Sequence, residues 1–181
     1  MLNKKVEDAL NKQIVIEAFS SQLYLAMASW CEIKGYAGSA DFLYKQTEEE
    51  RIHMLKLFKY INDRAGHAIV PELYKPPQDF TSIVELFEEV LKHEQMVSDS
   101  INKQLEVAMT EKDYTTANFL QWYVNEQIEE EATARHILDI IKLIGKDNPG
   151  GYYLIDKELE KIAAAKTVTT LNAVTTNPPA A

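Results

Sequence analysis

The sequence predicts an all-α fold: a four-helix bundle with one long crossover and a short fifth helix. Glycine and proline number 6 each in 181 residues and fall mostly in clusters, so the stretches between them are free to form long elements. Within those stretches apolar residues recur three and four apart, which puts them on one face of a helix. One proline-bearing stretch, 67–80, is too long for an ordinary connection in a compact domain. A crossover running the length of the bundle accounts for it, because the third helix can then start at the far end.

The first helix is expected over 3–34, with a seam of Val6, Leu10, Ile14, Glu17, Ser21, Tyr24 or Leu25, and Ala28. Glu17 interrupts an otherwise buried stripe. Gly35 supplies the left-handed residue that ends helices, and Gly38-Ser39 offers a new N-terminus. A link this short makes the second helix, 39–65, an antiparallel neighbour that stops at Gly66. Its face reads Leu43, Gln46, Glu50, His53, Leu57 and Tyr60, so a carboxylate and an imidazole point into the bundle. Pro71, Pro76 and Pro77 then keep the crossover from coiling.

Ser82-Ile83-Val84-Glu85 is a capping box that opens the third helix. Its seam is Ile83, Leu86, Val90, Glu94, Val97, Ile101, Leu105 and Ala108, again with one carboxylate in mid-run. Thr110-Glu111-Lys112 forms a tight link and Asp113 caps the fourth helix, which runs to Gly145. There Leu120, Tyr123, Gln127, Glu130, Ala134, Ile137 and Ile141 share a face, with Gln127 and Glu130 the polar members. Asp147-Asn148-Pro149-Gly150-Gly151 breaks the chain before a fifth helix over 152–165, which is too short to persist alone and must dock. One domain therefore spans 1–165, with the four-helix bundle over 3–145, and the Thr-, Ala-, Asn- and Pro-rich stretch 166–181 is expected to be disordered.

Acidic residues total 28 against 19 basic ones, a net charge of −9, which argues against nucleic acid and favours cations as partners. A single cysteine, Cys31, excludes an intramolecular disulfide framework and a thiolate cluster. The N-terminus lacks the apolar core of a signal peptide, and no apolar run approaches the roughly twenty residues that span a bilayer. The expectation is a cytoplasmic protein with no membrane partner.

Burying an ionised carboxylate beside an imidazole costs several kcal/mol unless a partner compensates it, and no Arg or Lys shares the Glu50–His53 face. A bound cation is the natural partner. A glutamate from each of two helices, with Glu-x-x-His from each of the other two, is the ligand scheme of di-iron carboxylate bundles. Glu17, Glu94 and the Glu50–His53 pair meet three parts of it, while Gln127-Ile128-Glu129-Glu130 stands where the fourth would be. Hard oxygen donors with one imidazole suit iron or manganese, and Zn²⁺ competes on raw affinity.

On these residues the chain closely resembles the bacterial non-haem ferritins, over essentially 1–165. The resemblance implies a ferritin-like bundle that stores iron in a 24-subunit shell and acts as a ferroxidase, oxidising Fe²⁺ with O₂ and keeping Fe³⁺ as hydrated ferric oxide. It implies that Glu17, Glu50 and His53 hold one iron, that Glu94 and Glu130 hold the second with Glu50 bridging, and that Gln127 lies beside them. It further matches Glu49, Glu126 and Glu129, with Glu130 shared, to a third iron position, and Tyr24 to a tyrosine near the centre. Bacterioferritins, by contrast, carry a histidine where Glu130 stands and a haem-ligating methionine where Ile52 stands, so no haem is expected. Rubrerythrins add a four-cysteine domain, which one cysteine excludes. A DNA-protective helical assembly and a di-iron oxygenase acting on an organic substrate are the competing readings; the charge weighs against the first, and the second needs a substrate cavity and a reductase.

Overall fold

The computed structural model describes residues 2–145, 148 and 150–165. The expected disorder of 166–181 and most of the break at 147–149 lie outside the described residues. Among those described there are five helices and no strand: α1 (Lys4–Lys34), α2 (Ala37–Asp63), α3 (Ile83–Thr110), α4 (Tyr114–Ile144) and α5 (Gly151–Ala165). The expected architecture is the observed one, with α1 packed chiefly on α2, α3 on α4, and α5 on α2.

Short side chains fix most of the ends. Asn3 caps α1 by accepting from the Lys5 amide, and Gly35 closes it at φ 82° while donating to the Glu32 carbonyl. Ser82 accepts from the Glu85 amide at 3.1 Å as expected of a capping box. Glu85 reaches back one residue further than that motif requires, accepting the Thr81 amide and hydroxyl. Asp113 accepts from the amide and the hydroxyl of Thr116 and also meets Arg64 at 3.2 Å, which ties the start of α4 to the end of α2.

Two boundaries of α2 differ from the sequence reading. The helix begins at Ala37 with Tyr36 as a cap that offers no side-chain acceptor. Its free amides are satisfied from another element: the Asp156 carboxylate of α5 accepts from the amides of Gly38 (3.0 Å) and Ser39 (2.8 Å) and from the Ser39 hydroxyl. At the other end the helix stops at Asp63, short of the expected 65, and the turn that follows sets Ala65 at a left-handed φ of 56°. Holding a residue with a Cβ there costs about 1–2 kcal/mol. The Gly66 amide nonetheless completes the turn on the Ile61 carbonyl.

The crossover runs the length of the bundle. Near its start, Asn11 of α1 clasps it, donating to the His67 carbonyl and accepting from the Ile69 amide at 2.8 Å. At its far end Phe80 meets the Trp30 ring edge-on, near the C-terminus of α1. Contrary to the expectation about spanning segments, α1 is long and apolar enough by composition to cross a bilayer, but 67% of its most apolar stretch is buried inside the protein. Packed against both α2 and α3, it is apolar around much of its circumference because protein covers it.

The core is in two parts. One cluster joins the C-terminal half of α1 with the N-terminal halves of α2 and α3, the C-terminal half of α4, and Ile155, Leu159 and Ala163 of α5. The other joins the opposite halves of the four long helices around Leu10, Ile14, Leu57, Ile101 and Leu120. Between them lies a belt of buried polar side chains that includes Gln13, Glu17, Gln46, Glu50, His53, Glu94, Gln127 and Glu130.

Candidate metal centre

Each long helix contributes to this belt from its middle, where the apolar stripe gives way to carboxyl and amide groups. Glu17, Glu50 and His53 each offer a ligand atom within 4.8 Å of the others, and all three are buried. The Glu50–His53 contact is local, since positions three apart share a face, and the His53 Nδ1 to Glu50 Oε2 distance is 3.4 Å. Glu17 comes from α1 across the interface with α2. Its Oε1 accepts from the Gln13 amide at 2.8 Å, whereas its Oε2 has no fixed donor, and the charge of the Glu50 carboxyl acts on the group as a whole.

Glu94 and Glu130, whose charges act on Glu50, are each held by an amide. Gln127 Nε2 donates to Glu94 Oε2 at 2.9 Å and Gln46 Nε2 to Glu130 Oε2 at 2.8 Å. The Tyr24 hydroxyl donates to the other Glu94 oxygen. Tyr123 fixes the α2 backbone from below by donating to the His53 carbonyl at 2.8 Å. The Trp122 ring lies edge-on to the His53 imidazole, 5.2 Å between centroids, and carries the Lys56 ammonium 4.3 Å away on the ring.

Burial and mutual repulsion load this site with protons. Desolvation, then the Glu50 charge, pushes Glu17 up to about 8. Desolvation and the charges of Glu94 and Glu130 raise Glu50 well above the ordinary carboxyl range. Glu94 rises to about 7, through desolvation first and Glu130 second. Four buried acids in one belt, with an orphaned carboxyl oxygen among them, make a donor set suited to a hard divalent cation.

A second group lies beside the first: Glu49, His53 and Glu126 also bring ligand atoms within 4.8 Å of one another, at a partly exposed position. Desolvation raises the Glu126 carboxyl.

Residues 7–144 match the family described as the ferritin-like domain. The chain belongs to the ferritin family. A bacterial non-heme ferritin from Campylobacter jejuni is 44% identical over 166 residues, 92% of this chain and 99% of the relative. One from Escherichia coli is 41% identical over 162 residues, covering 90% and 98% of the two chains. Among solved structures, an open-pore ferritin from Archaeoglobus fulgidus superposes with a TM-score of 0.85 at 40% identity, covering 88% of this chain and 98% of that one. A form of the Archaeoglobus fulgidus ferritin engineered to be closed gives 0.86 at 38% identity, covering 93% and 100%.

Within this ferritin fold Glu17, Glu50 and His53 come together as one tight group, and Glu94, Gln127, Glu130 and Tyr24 line the same belt. Glu50, Glu94 and Glu130 do not close to the same distance; they sense one another as charges. Glu49 and Glu126 meet at the second group, but there the third member is His53, and Glu129 is exposed to solvent. Two residues of the belt carry no role in the sequence reading. Gln13 lies four positions before Glu17, so the spacing rule that exposed Glu17 also marks it, and Gln46 stands on the seam of α2.

Proposed function

We propose that this ferritin stores iron and is a ferroxidase: Fe²⁺ binds as a pair at the mid-bundle belt, O₂ takes up the electrons, and Fe³⁺ passes inward to a hydrated ferric oxide deposit within a 24-subunit shell. The observation that carries the reading is the convergence of Glu17, Glu50 and His53, buried and with no Lys or Arg in the group. The residues fit iron as substrate, because hard carboxylate oxygens favour Fe³⁺ over Fe²⁺ and so pull oxidation forward.

In this reading Glu17, Glu50 and His53 hold one Fe²⁺, while Glu94 and Glu130, with Glu50 between the positions, hold the other. Gln127 keeps Glu94 aimed by its amide. Tyr24 donates to the second Glu94 oxygen, so this carboxyl is oriented at both oxygens before iron binds. Glu49 and Glu126, with Glu129 and Glu130 nearby on α4, offer a way station on the path off the pair. The two apolar clusters keep water away from the belt at both ends and hold the four helices at fixed spacing.

The test is aerobic Fe²⁺ addition to the purified protein with light scattering on the same sample. Rapid saturable oxidation by a particle of roughly 500 kDa, 24 chains of 20.6 kDa, is the expected result. A monomer or dimer that leaves Fe²⁺ to oxidise at the rate of free solution would overturn it.

Proton release gives an independent measurement. At neutral pH the metal-free site retains protons that the unfolded chain has lost, since Glu17 titrates at about 8 and Glu94 at about 7. Raised carboxyl values mean that the metal-free fold loses stability as pH climbs from the ordinary carboxyl range through those values. A divalent ion needs the deprotonated carboxyls and must expel those protons. Calorimetry with Zn²⁺ at pH 7 in buffers of different ionisation enthalpy should report roughly two protons released per site, and thermal scans should show the melting temperature of the metal-free protein falling from pH 5 to 8. No release would count against a site built from these acids.

A further inference from the structure

We infer that Gln13, itself held by Ser100, is the positioning residue that sets Glu17 to offer one oxygen to the metal. The inference rests on the metal-binding reading above. Gln13 is fully buried, one helical turn before Glu17, and its amide nitrogen reaches Glu17 Oε1 at 2.8 Å. Its amide oxygen accepts from the Ser100 hydroxyl of α3 at 2.7 Å. Ser100 in turn is approached by the Gln104 amide nitrogen at 3.5 Å, and Gln104 lines an open groove between α1 and α3.

The direction of these contacts is the informative part. Every donor in the file points toward Glu17: Gln104 N–H to the Ser100 oxygen, Ser100 O–H to the Gln13 oxygen, Gln13 N–H to the carboxyl. Bonds aligned head to tail polarise one another, so the last one gains from those behind it. When Glu17 is ionised it can only accept, and a reversed Gln13 amide would set oxygen against oxygen; Ser100 prevents that reversal by donating to the Gln13 oxygen. The oxygen left without a donor is Oε2.

A proton relay is the other use such a file suggests, but two of its links are carboxamides, which pass a proton only through an unstable imidic tautomer. Orientation is what these groups do well. Groups that hold a metal ligand in place in this way typically contribute 10–100-fold to metal affinity.

The experiment uses Co²⁺, followed by its visible absorption, on the full-length assembled protein. Four variants are compared with the unaltered chain: Ser100→Ala, Gln13→Met, the two combined, and Ser100→Thr, which keeps the hydroxyl. Ser100→Ala and Gln13→Met should each weaken Co²⁺ binding about tenfold or more. They should also lower the absorption intensity, as a freed Glu17 closes on the metal with both oxygens and raises its coordination number. Because the file acts as a unit, the combined variant should bind no worse than Gln13→Met alone, and Ser100→Thr should restore both affinity and spectrum. Unchanged affinity and spectrum in Ser100→Ala, or losses that simply add in the combined variant, would overturn the inference while leaving the metal centre standing. If the unaltered protein gives no saturable Co²⁺ spectrum that Glu50→Ala removes, the metal reading falls and this inference with it.

Discussion

Replacing Glu50 or His53 with alanine abolishes the rapid phase of Fe²⁺ oxidation and leaves the bundle folded. In the proposed reading Glu50 is shared by both iron positions, since it groups with Glu17 and His53 and also senses the charges of Glu94 and Glu130, so its loss should disable both. The expected fall in initial rate exceeds the roughly 10–100-fold seen when only an outer partner of a ligand is removed. Folding should survive, because a crowded buried carboxyl opposes folding in the metal-free state. Glu50→Gln, which keeps the volume and removes the charge, should raise the melting temperature of the metal-free protein at pH 8 while still eliminating fast oxidation. Stopped-flow absorbance of the ferric product, with calorimetry on the same samples, decides the matter; wild-type initial rates in both alanine variants would sink the site assignment.

The second large effect is expected at Gly38. A methyl group there would sit 2.8 Å from the Glu160 amide nitrogen and closer still to the Asp156 carbonyl oxygen, both backbone atoms of α5 that cannot turn aside. Gly38→Ala therefore lifts α5 off α2, breaking the three hydrogen bonds from Gly38 and Ser39 to Asp156 and uncovering Ile155 and Leu159. Overpacking of this kind costs about 1–3 kcal/mol before the lost bonds are counted. Limited proteolysis should cut the variant within 151–165 at a rate at least tenfold above wild type, as expected for a segment whose local opening has become easy. Resistance equal to wild type would mean that α5 tolerates the shift and that the close approach is unimportant.

Residues whose role depends on spacing along one helix were legible in the sequence. A charged side chain inside an apolar stripe is visible in one dimension, and Glu17, Glu50, His53, Glu94 and Glu130 all stand out in this way. Whatever is supplied from another element was not. The amides at the start of α2 are capped by Asp156, more than a hundred positions away, so the local sequence around Gly38-Ser39 could not give the true boundary. The left-handed turn after α2 falls on Ala65 because the carbonyl of Ile61 must meet the Gly66 amide, a geometric requirement that overrides the preference of glycine for that conformation. Glu129 follows Glu126 by three positions and lies exposed, while Glu126 brings a ligand atom within 4.8 Å of Glu49 and His53, a grouping across helices that spacing along α4 does not show.

The division of the core into two apolar clusters has a bearing on how such a chain can change over time. Each cluster draws on all four long helices, and the polar belt keeps the two apart. Substitutions far enough apart to share no neighbour add nearly independently in their effect on stability. Either end of the bundle can therefore drift, harden or soften on its own, absorbing the damage of one lineage or the heat of one habitat, while the belt at the centre goes on seeing the same four backbones at the same distance. Robustness and chemistry occupy different stretches of the same helices, so selection can act on one with little disturbance of the other.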